Sequence, residues 1–156
     1  VYLGAEEGHE AAFDILGEQA NVIHPAAEPG AVAEALRSAH GLLDASMKVP
    51  ISDAMIAAAS DLKIISCATT GSDHISRGEI AKRDIPVRTL REDRNLLNNI
   101  TPAAELTFAL LLACARRLPA AVSAVKRGEW VREDFPGLML NGRRLGVIGC
   151  GRIGGW

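Results

Sequence analysis

Leu145-Gly146-Val147-Ile148-Gly149-Cys150-Gly151-Arg152-Ile153-Gly154 reads as a buried strand running straight into G-x-G-x-x-G. That order of apolar strand, glycine turn and helix start opens a βαβ unit, and it predicts an α/β protein with a parallel sheet. In such a unit the glycines have separate jobs. Gly149 makes the tight turn, Gly151 lets the backbone approach a pyrophosphate, and Gly154 lets helix and strand pack closely. The amides of Arg152 and Ile153 then meet the pyrophosphate at the helix N-terminus. The stretch therefore implies a dinucleotide, NAD or NADP; the acidic or basic residue that separates the two is expected about 20 positions further on, past Trp156. Only residues 153–156 remain for the helix. One unsupported turn is unfavourable to nucleate, so the end of the chain is expected to fray. The chain also begins at Val1 inside an apolar run, without Met, and both ends are expected to be trimmed.

Upstream, the same alternation of strand and helix recurs. Val1-Tyr2-Leu3 is a short apolar opening, and residues 10–17 carry Ala11, Ala12, Ile15 and Leu16 at helical spacing. Asn21-Val22-Ile23-His24 is expected as a second strand, closed by Pro25, and Pro29 starts a helix through Val32, Ala35 and Leu36. Residues 41–45 form a third strand; Ser52 caps a helix with Met55 and Ile56, and residues 62–67 are a strongly β-branched strand. Ser76 is expected to cap a short helix through Ile80, before a fifth strand over 85–88. Short strands joined by helices of about 8 to 12 residues imply a flavodoxin-like parallel sheet. After Leu90 the chain turns polar, then Thr101 and Pro102 open a long helix as N-cap and first helical residue. Its stretch over 108–115 is apolar all round and is expected to be buried on most sides, ending at Arg116-Arg117. The domain boundary is placed near Asn98, giving 1–98 and 99–156.

Composition narrows the function classes. Apolar residues are 48% and charged residues 23% of 156, which is the balance of a globular domain. Net charge is −2 with no basic run, so phosphate-driven nucleic-acid binding has no electrostatic support. No apolar run reaches the roughly 18 residues of a membrane span, and no signal peptide is visible. Cys67, Cys114 and Cys150 are odd in number and widely spaced, which fits a reduced, cytoplasmic protein without disulfide or zinc.

Taken together, the ordered motifs resemble the D-isomer-specific 2-hydroxyacid dehydrogenases. Leu62-Lys63-Ile64-Ile65 followed by Thr69-Thr70-Gly71-Ser72-Asp73-His74-Ile75 is similar to that family's glycine loop, and Ile85-Pro86-Val87 to its next strand. Thr101-Pro102-Ala103-Ala104-Glu105 with Ala115-Arg116-Arg117 resembles the long interdomain helix, Gly128-Glu129-Trp130 a frequent arm, and residues 145–154 the cofactor fingerprint. The resemblance covers about residues 60–156. It implies a flavodoxin-like substrate domain plus the beginning of a Rossmann nucleotide-binding domain, with NAD as the cofactor by family habit and NADP not excluded. It also implies oxidation at the CH–OH group of a D-2-hydroxy acid. The arginine that holds the acid and the histidine–glutamate pair that moves the proton have no counterpart here, so no catalytic residue is assigned and the 156 residues alone are expected to be inactive. A dinucleotide-sensing, corepressor-like binding protein on the same fold is the alternative. The parent is expected to be a homodimer through the helix spanning Pro102 to Arg117 and the Trp130 arm.

Thr70, Gly71 and Ser72 are the leading substrate contacts. A glycine turn at the carboxyl end of a parallel strand aims successive backbone N–H groups at a carboxylate, although a plain tight turn needs the same residues. Asp73 is expected to brace that loop. Lys48, after the third strand, is a candidate cationic contact, with a solvated lysine as the plainer reading. His74 has a pKa suited to acid–base work but no carboxylate partner visible in sequence. His9, His24 and His40 sit scattered at element ends, and no metal site is expected.

Overall fold

Four apolar runs that satisfy their backbone groups on one another form the sheet on which the first half is built. In the computed structural model, which describes all of Val1–Trp156, β1 (Tyr2–Leu3), β2 (Gly41–Asp44), β3 (Ile64–Cys67) and β4 (Val87–Thr89) pair in the order β1-β2-β3-β4, all parallel. Tyr2 lies opposite Leu43, Leu42 opposite Ile65 and Cys67 opposite Thr89. Parallel neighbours need crossovers, and α1 (Glu6–Leu16), α2 (Pro29–Leu36), α3 (Asp53–Ala58) and α4 (Gly78–Arg83) lie on those connections. Leu3, Val32, Leu36, Leu42, Ile56 and Ile65 meet in the core. Each such side chain contributes about 1.5–3 kcal/mol on burial.

The chain divides into two units, Val1–Leu97 and Asn98–Trp156. In the first, the α/β reading holds with four strands rather than five. Residues 21–24 are extended but not a strand. One backbone bond, Tyr2 N–H to Ile23 C=O at 2.8 Å, ties them to β1. β1 itself is only two residues long, and Pro25 brings no donor for a further rung. Ser52 caps α3 as expected, its hydroxyl accepting from the Met55 N–H at 3.3 Å. Ser76 does not cap α4. Its N–H donates to Ile51 C=O at 2.8 Å, and Asp53 reaches over from α3 to accept from the Glu79 N–H at 2.9 Å. Arg83 returns the favour, donating to the carbonyls of Ile56, Ser60 and Leu62 at 2.7–3.1 Å. The polar stretch after β4 is a 3-10 turn (Leu90–Glu92) and a short helix, α5 (Arg94–Leu97).

The second unit holds α6 (Pro102–Ala115), α7 (Leu118–Lys126) and an arm with a 3-10 turn at Arg132–Asp134. Pro102 takes the first helical position. Thr101 does not cap, because its backbone is already helical and its hydroxyl bonds to the Glu105 carboxylate instead. α6 is not buried on most sides. Ala104 alone is buried, and Leu106, Phe108, Leu110 and Leu112 are each more than half exposed, for α7 covers only one flank. The stretch over 94–115 is, by length and composition, apolar enough to cross a membrane, contrary to the shorter run read from sequence; the helix breaks within it at 98–101. The arm packs back onto the end of α6, with Leu138 N–H to Ala115 C=O at 2.6 Å. Residues 145–148 form no strand: the unit contains no other strand to pair with, and Leu145, Val147 and Ile148 are exposed. Past Gly151 the chain closes turns, Gly155 N–H to Gly151 C=O at 2.9 Å and Trp156 N–H to Ile153 C=O at 3.4 Å, but forms no helix.

Candidate functional site

In a parallel sheet the carboxyl ends of the strands gather loops whose backbone groups are free to meet a ligand. Here β2 and β3 supply them. β2 ends in Asp44, which is fully buried, a position a carboxylate holds only if every lone pair is used. Its Oδ1 accepts from the Ser46 N–H (2.7 Å), the Ser46 hydroxyl (3.1 Å) and the Met47 N–H (3.0 Å). Its Oδ2 lies 2.9 Å from Nε2 of His74. These bonds wind residues 45–48 into a tight turn with Met47 left-handed at φ 55°. The Lys48 N–H bonds the Ser46 hydroxyl at 3.2 Å, and the exposed Lys48 side chain enters no ion pair.

The facing loop runs from the end of β3. Ala68 N–H bonds Asp44 C=O at 2.9 Å, the Thr69 hydroxyl donates to Gly71 C=O at 2.6 Å, and Thr69 C=O takes the Leu90 N–H at 3.0 Å. Ser72 is buried, and its hydroxyl accepts from Nη2 of Arg77 at 2.5 Å. The loop is pinned at its far end by Ile51 N–H to His74 C=O, 2.8 Å, and by the Ile51–Ile75 bridge. Thr69 thus braces it; Asp73 is exposed and makes no hydrogen bond, contrary to expectation. What remains is a run of backbone N–H groups from Thr70 to His74, those of Thr70, Gly71 and Ser72 among them, that donate to nothing in the chain. Such a run, with the Arg77 guanidinium beside Ser72, offers donors to an anionic oxygen.

His74 is not the partnerless histidine that its sequence context suggested. Asp44 holds it from 30 residues away. The ring is nearly enclosed and its Nδ1 is buried without a partner, so it has no face turned to a reacting atom; it joins the two loops. Asp44 and Arg77 are the residues that sequence reading missed. The one available signal for Asp44 was an acid closing an apolar strand. Cys67, at the end of β3, is buried; that burial, followed by the nearby Asp44 charge and partly offset by Arg77, pushes its thiol above the ordinary range. It is a neutral core group rather than a nucleophile.

In the second unit the glycine turn is formed even without its strand. Gly149 has φ +92°, which favours glycine. A Cβ at Gly154 would fall 1.9 Å from the Gly149 carbonyl oxygen, so the third glycine makes a close backbone approach, whereas a Cβ at Gly151 would meet nothing. Arg152 anchors the turn by Nη1 to Ile100 C=O at 2.8 Å, leaving Ile153 half exposed at its rim. One glycine turned, one open and one closely packed is the cradle that a pyrophosphate needs, and these residues fit a dinucleotide. A further correction lies after β1, on the same edge of the sheet: Glu6, His9 and His24 are not scattered but have their donor atoms within 4.8 Å of one another.

Residues 5–92 match the catalytic domain of the D-isomer specific 2-hydroxyacid dehydrogenases, and residues 108–155 match that family's NAD binding domain. The chain is 41% identical over 100 residues to the D-3-phosphoglycerate dehydrogenase of Methanocaldococcus jannaschii, covering 64% of this chain and 18% of that protein. It is 36% identical over 119 residues to the Sus scrofa enzyme of the same name, covering 76% and 21%. Among solved structures, a Thermus thermophilus protein superposes with a TM-score of 0.75 at 31% identity, over 93% of this chain and 47% of that one. The Aquifex aeolicus D-lactate dehydrogenase, solved with NAD and lactic acid, shares the fold with a TM-score of 0.80 at 23% identity, over 99% and 45%. The chain spans about a fifth of those curated relatives and just under half of those solved chains.

Proposed function

The chain belongs to the D-isomer specific 2-hydroxyacid dehydrogenase family, and on that premise we propose that the whole protein is an NAD-dependent oxidoreductase acting on a small D-2-hydroxy acid or its 2-keto form. The observation that carries this reading is the row of unused N–H groups on Thr70, Gly71 and Ser72 at the carboxyl edge of the sheet. Unused amides in one loop suit one end of a carboxylate, and Arg77 beside Ser72 adds positive charge. Lys48, exposed and unpaired after β2, is the second cationic contact. Gly149, Gly151, Arg152, Ile153 and Gly154 hold the dinucleotide, with the open backbone at Gly151 taking the pyrophosphate. When bound, NAD supplies the acceptor for the hydride of the hydroxyl-bearing carbon.

No side chain of these 156 residues takes the proton-transfer role. His74 is occupied by Asp44 and enclosed. The 156 residues by themselves are therefore expected to show no turnover. The exposed Leu106, Phe108, Leu110 and Leu112 of α6, with Trp130 at 88% exposure on the arm, support a homodimer through the 102–117 helix and that arm. Three free cysteines support a reducing, cytoplasmic location. The test is consumption of NADH by the whole protein with a panel of 2-keto acids. Turnover that weakens in Lys48→Ala through KM rather than kcat supports the assignment. Tight NADH binding without turnover of any member overturns it and leaves the non-catalytic, corepressor-like reading.

A further inference from the structure

The carboxyl end of β1, at the outer strand of the same sheet, carries a second cluster that the dehydrogenase reading does not use. Glu6 and His9 lie one turn apart on α1 and so share a face. His24 comes to them on the extended segment that Tyr2 N–H ties to β1. The separations are 3.6 Å from Glu6 Oε1 to His9 Nδ1 and 3.3 Å from Glu6 Oε2 to His24 Nδ1. The two imidazoles stack with centroids 4.9 Å apart at 27°. We propose that Glu6, His9 and His24 form a binding site for a divalent transition-metal ion of the zinc type.

Proton placement is the first argument. Nε2 of His24 lies 3.2 Å from Gly4 C=O, and a carbonyl only accepts, so that nitrogen carries the hydrogen. In the neutral ring Nδ1 then carries the free lone pair, 3.3 Å from a Glu6 carboxylate oxygen. A single divalent ion can serve that nitrogen, His9 Nδ1 and the carboxylate together. A backbone carbonyl holding the far N–H of a ligating histidine is also the usual outer-shell partner of a metal site.

Geometry is the second. Zinc binds imidazole nitrogen and carboxylate oxygen at about 2.0–2.2 Å in a tetrahedron, whose edges are then about 3.4 Å. The observed 3.6 and 3.3 Å, one to each oxygen of Glu6, lie close to that edge, and one donor atom from each residue lies within 4.8 Å of the others. The site is also built rather than accidental. Tyr2, buried, floors it with its ring edge-on to His24 at 5.3 Å and its hydroxyl on Ala5 C=O at 3.1 Å. A Cβ at Gly4 or Gly8 would fall 2.1 or 2.0 Å from that hydroxyl, so both glycines make room for the floor. Glu6 is exposed and leaves an entry side, and three protein donors leave a fourth position for water. His9 Nε2 is enclosed and unpartnered, which directs that ring's chemistry through Nδ1. Its buried N–H in the metal-bound form weakens the site, and a dissociation constant on the order of micromolar is expected. Two imidazoles and one carboxylate favour copper and zinc over manganese, and exclude the hard cations calcium and magnesium as good fits.

The test uses the whole protein without an affinity tag, with Cys114→Ser and Cys150→Ser removing the two exposed thiols as competing ligands. Zinc is titrated in competition with a chromophoric chelator, and copper(II) is read by electron paramagnetic resonance. The expected result is about one equivalent of zinc and a copper signal split by two nitrogens. Glu6→Gln and His24→Gln should each weaken zinc at least about tenfold while leaving the metal-free melting curve unchanged. His24→Gln should also remove one nitrogen from the copper spectrum. Less than half an equivalent of zinc bound, or affinity unchanged in both variants, overturns the site.

Discussion

Asp44→Asn is the sharpest perturbation of the loops that carry the candidate substrate site. The carboxylate accepts three bonds on Oδ1 and one from His74 on Oδ2, all without solvent contact. An asparagine that keeps Oδ1 on Ser46 and Met47 turns its NH2 toward the Nε2–H of His74, setting donor against donor. The ring can escape only by moving its proton to Nδ1, which is enclosed and has no acceptor. Flipping the amide instead strips Ser46 and Met47 of their partner. Either way one charge-assisted bond is lost and a buried donor is stranded, costing about 1.5–3 kcal/mol. The first unit is Val1–Leu97, and in a domain of that size 1 kcal/mol moves the melting midpoint by about 4–8 °C. The expected fall is therefore about 6–24 °C, read by circular dichroism at neutral pH. Asp44→Ala, which strands all the donors at once, should cost about 3–5 kcal/mol. A midpoint within about 2 °C of the parent in Asp44→Asn would refute the account of the two loops as one hydrogen-bonded body.

Cys67 gives a pH prediction. Its folded thiol sits above its unfolded value, so above that unfolded value the unfolded chain holds fewer protons. Stability should be flat below the ordinary thiol range, about 8.5, and fall as pH rises beyond it; Cys67→Ala should flatten that decline. A thiol reagent at neutral pH should label Cys114 and Cys150 promptly and Cys67 only on unfolding. In the cofactor turn, Gly154→Ala forces a backbone shift whereas Gly151→Ala meets nothing in the chain. Both should weaken NADH in the whole protein by about tenfold or more, but Gly151→Ala only by obstructing the ligand, with an unchanged melt. NADH affinity equal to the parent's in either variant would contradict the assigned glycine roles. Lys48→Ala should raise the KM for a 2-keto acid and leave the melt within about 0.5 kcal/mol, because its side chain is exposed and unpaired.

Periodicity exposed the parts of the fold that rest on local burial. β-Branched residues at 64–67 and the apolar faces of α2 and α3 are visible in a short window, and each lies where the pattern puts it. The glycine turn was legible too, because the φ of Gly149 and the close approach at Gly154 are demands of the backbone that only glycine meets. Residues 21–24 misled because an apolar run shows propensity but not whether a partner edge is long enough to pair with. Residues 145–148 misled for the same reason, with no neighbouring strand in their unit. Capping at Ser76 failed because Asp53, from a different helix, reached the open N–H first. The pairings of Asp44 with His74, of Arg77 with Ser72, and of Glu6 with His9 and His24 are products of tertiary folding. Only Glu6–His9 and Ser72–Arg77 fall within one turn or loop; the others join residues that no spacing rule connects.

The most direct test of the substrate-site assignment is an amide-resolved nuclear magnetic resonance titration of the whole protein. NADH should first shift the amides over 149–154. A 2-keto acid added to that complex should then shift Thr70, Gly71 and Ser72, whose N–H groups the chain leaves unused. A keto acid that is turned over while those three amides stay fixed would contradict the account.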